Sequence, residues 1–212
     1  MSKVNIKEKW LRLSEKTNAL DFLEQAYHYI CQTEADILAW KWVIISLCGA
    51  LYGFAICACK GTNYENVIFK TKKGKVRLIS FDEALELCQS PNWMRMTVLS
   101  RHLKLSDSQR KSIDKLKNHF RNRFEHYIPM GWSIEVHGMP QIAMDVLDVI
   151  RFLALDTDNY VHLTEAQRKR VKYIVFRSKR ILSQSQLYKE AKLLEKMVEE
   201  QKKNGGKLKD EN

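Results

Sequence analysis

Three side chains in one short run have the types needed for acid–base chemistry at a phosphate: Arg121, Asn122 and His126. A histidine with an ordinary pKa near ~6.5 takes and gives protons around neutral pH. A guanidinium grips phosphate oxygens with paired N–H donors and stabilises negative charge developing on them. Arg123 lies inside the same run and adds a cation for a polyanionic backbone. His119, one to two helical turns before His126, is read as a substrate-facing or interface residue rather than a second catalyst.

These residues need a helix to position them, and the pattern predicts one from Ser106 to Tyr127. Ser106 with Gln109 forms a capping box, and Leu105 precedes it. Pro129 and Gly131 close the segment. Ile113, Leu116, Phe120, Phe124 and Tyr127 recur at spacings of three and four, which is one apolar stripe facing a core. At about 100° per residue, Asn122 and His126 fall nearly opposite that stripe and neighbour each other. Arg121 sits about 140° around the axis from His126 and roughly 7.5 Å along it. In a regular helix the two do not converge on one atom. They need a distorted helix end, or a groove wide enough to hold a phosphate and its neighbours.

The run Arg121-Asn122-Arg123-Phe124-Glu125-His126 resembles the R-N-x-x-x-H signature of the HEPN superfamily. Trp40-Lys41-Trp42, Gly49-Ala50-Leu51-Tyr52-Gly53-Phe54 and the stretch from Pro129 to Leu155 are also similar to a bacterial branch of that family. The resemblance covers roughly residues 18–155. It implies an all-α, compact antiparallel helical bundle that forms a homodimer, with the paired motifs meeting in a composite site. It implies a metal-independent endoribonuclease, with the ribose 2′-hydroxyl as nucleophile. His126 would move the proton, Arg121 would hold the scissile phosphate, and Asn122 would orient His126 or bind an oxygen. RNA is the expected partner, and a toxin or defence role is consistent with the family. The alternatives are a non-catalytic RNA- or nucleotide-binding HEPN protein, or a toxin–antitoxin component regulated by an antitoxin or nucleotidyltransferase. In the latter systems the signature often continues His-x-Tyr; here Tyr127 follows His126 directly, on the expected core face.

Composition fits this reading. The chain has 212 residues, with 45% hydrophobic and 29% charged residues, which favours a globular protein over disorder. Eight glycines and three prolines are few for an all-β fold, and long helices suit them better. The formal net charge of +11 favours a polyanionic partner through steering and counterion release. Five cysteines, in apolar settings and odd in number, do not suggest a disulfide framework. Reduced thiols and a cytoplasmic setting are expected, since the first residues lack an apolar signal core. No metal and no cofactor are expected, because no His-Glu-x-x-His, phosphate loop or dinucleotide fingerprint occurs. A catalytic triad assembled from distant positions stays open to sequence reading.

The remaining elements frame the motif helix. Residues 1–17 are expected to form a short helix or arm around Trp10, Leu11 and Leu13, with Asn18 capping the next helix to about Cys31. The run from Trp42 to Cys59 carries no charge and is long enough for a membrane span. Its small residues suit a central bundle helix, and that reading is preferred. Its aromatics Trp40, Trp42, Tyr52 and Phe54 are read as core. Residues 62–104 are read as an insertion with a β-hairpin turning at Gly74, a helix from Phe81, and a break at Pro91. Pro140 and a second capping box at Thr164 start two later helices. The domain is expected to span residues 1–182, followed by an amphipathic helix over 183–200 and a disordered tail over 201–212.

Overall fold

The computed structural model describes residues 9–125, 129, 131–159 and 161–207. Two expected positions, His126 and Tyr127, lie outside the described residues. Among the described residues the chain is mainly helical with one small antiparallel sheet.

Helix α1 (Glu15–Ile30) starts on a capping box of Ser14 and Thr17, with Ser14 Oγ accepting from the Thr17 N–H. That reciprocal pair leaves Asn18 inside the helix, not at its cap. Trp10, Leu11 and Leu13 precede it as exposed residues without regular structure. Helix α2 (Ala39–Lys60) is the centre of the fold. It is long and apolar enough to cross a membrane, yet 72% of its most apolar stretch is buried against other elements. Trp40 and Phe54 are core residues as expected, whereas Trp42 is 45% exposed and stacks on Tyr29. Leu38 precedes the helix, and Gly61 ends it at φ 56°, a conformation that favours glycine.

The α1–α2 pair is antiparallel. Glu15 meets Lys60, Ala19 meets Gly53, and Phe22 meets Gly49. A Cβ at Gly49 would come within 2.7 Å of the Phe22 ring, and one at Gly53 within 2.7 Å of the Ala19 Cβ. The two glycines therefore set how closely the helices approach.

The chain after α2 continues with a 3₁₀ turn (Tyr64–Val67) and the hairpin β1 (Ile68–Lys70) and β2 (Val76–Leu78). Phe69 pairs with Arg77, and Gly74 takes φ 76° in the turn. Helix α3 (Phe81–Gln89) packs on α2 beside Cys59 and Cys88, whose sulfurs lie 3.3 Å apart. The hydrogen bond with the Cys59 thiol, and then burial, push the Cys88 thiol well above its usual range. Pro91 opens a short helix α4 (Pro91–Met94) capped by Ser90, where the sequence suggested only a break.

Helix α5 (Asp107–Asp114) starts on the Ser106–Gln109 capping box. It continues as a π-helical segment (Lys115–Arg121) and then as α6 (Asn122–Glu125). Helix α7 (Met139–Leu155) has Pro140 in its first turn, and α8 (Glu165–Gln184) starts on the Thr164–Gln167 box. Asp148 meets Lys179 and the Leu155 carbonyl meets Arg168, so α7 and α8 are antiparallel. Buried Asp145 on α7 accepts from Ser108 and Ser112 of the motif helix at 2.6 and 2.7 Å, and from Gln141 at 2.8 Å. Three donors satisfy the carboxylate, and the two serines among them fix α5 on α7.

Helix α9 (Gln186–Lys207) runs beyond Glu200, where a disordered tail was expected. Gln201 to Lys203 are strong helix formers, and the cost of each of Gly205 and Gly206 is only about 1 kcal/mol.

Candidate functional site

The π segment decides where the motif points. In a regular α-helix the N–H of residue i donates to the carbonyl of i−4. Here the Asn122 N–H donates to the Lys117 carbonyl, five residues back. The wider turn lets Lys117, Arg121 and Glu125 line one groove, although positions four apart drift by about 40° per step in an α-helix. On the other side Leu116 and Phe120 remain in the core, as the apolar stripe predicts, with Phe124 half-buried.

The groove encloses about 480 Å³. Phe22 of α1, Tyr52 of α2 and Phe81 of α3 give it aromatic walls, and Gly49 and Gly53 lie along its floor. The Tyr52 hydroxyl donates to the Ile79 carbonyl and so ties the segment after β2 to α2. Lys117 pairs with Asp82 and lies over the Phe81 ring at 5.7 Å. Cys48 also lines the groove, and burial pushes its thiol up to about 11 against the weaker pull of Arg121. It therefore stays protonated at neutral pH and is not poised as a nucleophile.

Arg121 sits in the mouth of this groove, 38% exposed. Its Nη1 donates to Asn122 Oδ1 at 3.2 Å, and its Nη2 meets Glu125 Oε2 at 2.6 Å. Arg121 and Asn122 are thus brought together, while His126, the third expected member, lies outside the described residues. Arg123 and His119 do not join them. Arg123 is exposed, with its guanidinium 5.8 Å from the Trp132 ring centre, and His119 is exposed with its ring edge-on to Phe120.

Sequence reasoning missed Lys117 and Glu125 as groove residues. Their spacing of four on either side of Arg121 was the available signal. The aromatic walls come from three other elements and carried no local signal. Size alone does not single out this groove. A second hollow of about 530 Å³ lies among Arg101, His102, Lys104 and Phe152. What distinguishes the first is an arginine held by two side chains at the edge of an aromatic pocket. Among the described residues, no three His, Cys, Asp or Glu side chains gather as a metal site.

Comparison with protein-family models, with curated proteins and with solved structures returned no match.

Proposed function

We propose that this chain is a HEPN-type, metal-independent endoribonuclease whose site is Arg121, Asn122 and His126. The observation that carries this reading is Arg121 at the mouth of an aromatic-walled groove, anchored by Asn122, on a helix widened by a π turn. π turns are rare and frequently accompany functional sites.

In the proposed reaction the ribose 2′-hydroxyl loses its proton and attacks the adjacent phosphorus. The O2′–P bond forms, the P–O5′ bond breaks, and the departing 5′-oxygen takes a proton. His126 serves this proton transfer, and a histidine from a second copy supplies the complementary step in a homodimer. Arg121 binds the non-bridging oxygens, where negative charge grows in the transition state. Asn122 holds the guanidinium in place. The basic surplus of the chain draws the RNA backbone in. A toxin or defence effector would use such an activity.

The test compares wild type, His126→Ala and Arg121→Ala on mixed single-stranded RNA in EDTA, using the dimer-sized fraction. Wild type is expected to leave 2′,3′-cyclic phosphate ends. His126→Ala should lower the rate by about 100-fold or more with the fold intact. Wild type that cleaves no member of an RNA panel, or a His126→Ala variant that cleaves equally well, overturns the nuclease reading. RNA binding without cleavage would leave the chain as a non-catalytic or partner-regulated member of the same class.

A further inference from the structure

The chain carries a surplus of +11, yet the groove at the motif is locally neutral. Its charged lining residues are Lys117 and Arg121 against Glu15 and Glu125. Each of the two cations is engaged by a carboxylate: Lys117 by Asp82 and Arg121 by Glu125. The Arg121–Glu125 contact, at 2.6 Å, is a charge-assisted bond to Nη2 of the guanidinium. Asn122 takes the other terminal nitrogen. A carboxylate and a phosphate present similar oxygen pairs to a guanidinium, so they compete for the same donors.

We infer that Glu125 acts as a built-in phosphate mimic, holding Arg121 in the groove mouth until a phosphodiester displaces it. This rests on the proposed role of Arg121 as the phosphate ligand. The geometry suits an exchange. Glu125 lies on the same helix four residues after Arg121, so its side chain swings out without moving the backbone. Both partners are about one-third exposed, so the pair is partly screened and inexpensive to break. In the free protein Glu125 keeps the guanidinium ordered. In the complex its carboxylate gives way, and Asn122 alone retains the anchor. RNA affinity is thereby set below what the cations of the groove would otherwise supply.

The experiment measures binding of a fluorescein-labelled, single-stranded 2′-O-methyl RNA, which has no free 2′-hydroxyl to cleave. Wild type is compared with Glu125→Gln, Glu125→Asp, Arg121→Ala and the control Glu195→Gln. Glu195 pairs with Lys192 on the exposed face of α9, so the control makes the same charge change elsewhere. Glu125→Gln and Glu125→Asp should each bind about two- to fivefold more tightly than wild type, beyond any gain in the control. The aspartate variant keeps the charge but shortens the reach, so it separates the contact from the general field. Arg121→Ala should bind about tenfold more weakly. Should Arg121→Ala bind like wild type, the phosphate role of Arg121 falls, and the proposed function with it. Should Arg121→Ala weaken binding while either Glu125 variant fails to exceed the control, the mimic is overturned and Glu125 is an orienting residue only.

Discussion

Helices α5 and α8 begin on the same signal, a hydroxyl cap with a glutamine three residues later, and then diverge. Helix α8 continues regularly from Glu165 to Gln184. The motif helix leaves α geometry after Asp114 and returns to it at Asn122. The difference lies in what each must touch. Helix α8 buries one stripe, Val171, Ile174, Val175, Ser178 and Leu182, at the ordinary helical period. The motif helix buries Ile113, Leu116 and Phe120 and also presents Lys117, Arg121 and Glu125 to a groove. Two rows spaced by four drift around a regular helix, and the π turn reduces that drift for both. A cap thus sets where a helix begins, while its contacts on two sides set its pitch.

The largest expected effect comes from removing the extra residue of the wide turn. Deleting exposed Asn118 should restore α geometry and swing Arg121 away from the groove. On the proposed nuclease reading, cleavage of single-stranded RNA should fall by about 100-fold, the usual consequence of misplacing a catalytic group. Far-ultraviolet circular dichroism should stay helical. A deletion variant that cleaves normally would show that the π turn has no part in the site.

Next in size is the anchor of α5. Asp145→Ala leaves the buried Ser112 hydroxyl, and the exposed Ser108 hydroxyl beside it, without their acceptor. The expected cost is about 2–3 kcal/mol in urea unfolding. On the α8 side, Asp148→Ala breaks a half-exposed pair with Lys179 and should cost only about 0.5 kcal/mol. Equal losses at the two positions would remove the contrast between a buried anchor and a surface tether.

The smallest effects are at the caps. Ser106→Ala and Thr164→Ala should each cost about 1 kcal/mol, measured by the same unfolding experiment. If Ser106→Ala costs far more, the cap also supports the π turn, and the two starts are not equivalent.

Local chemistry was legible where a few neighbouring residues decide the outcome. Both of those capping boxes, the Gly74 hairpin and the Pro140 start follow from backbone preferences that any fold respects. The long apolar run is a buried bundle helix, as its small residues suggested, because Gly49 and Gly53 admit Phe22 and Ala19. Less legible were the boundaries. Ser14 with Thr17 supplanted Asn18 as a cap, and α9 passed through a Gly-Gly pair because neighbouring helix formers offset its cost.

By itself the sequence determined a mainly helical chain with one hairpin, a basic surplus, and an Arg121–Asn122 pair on a capped helix. Those properties depend on residue type and short-range spacing, which the linear order contains. Only the tertiary structure decided that the helix widens, that Arg121 enters a groove, and that Phe22, Tyr52 and Phe81 wall it. Helical phase past a π turn depends on packing from both sides at once, and walls drawn from α1, α2 and α3 meet only when those helices are assembled.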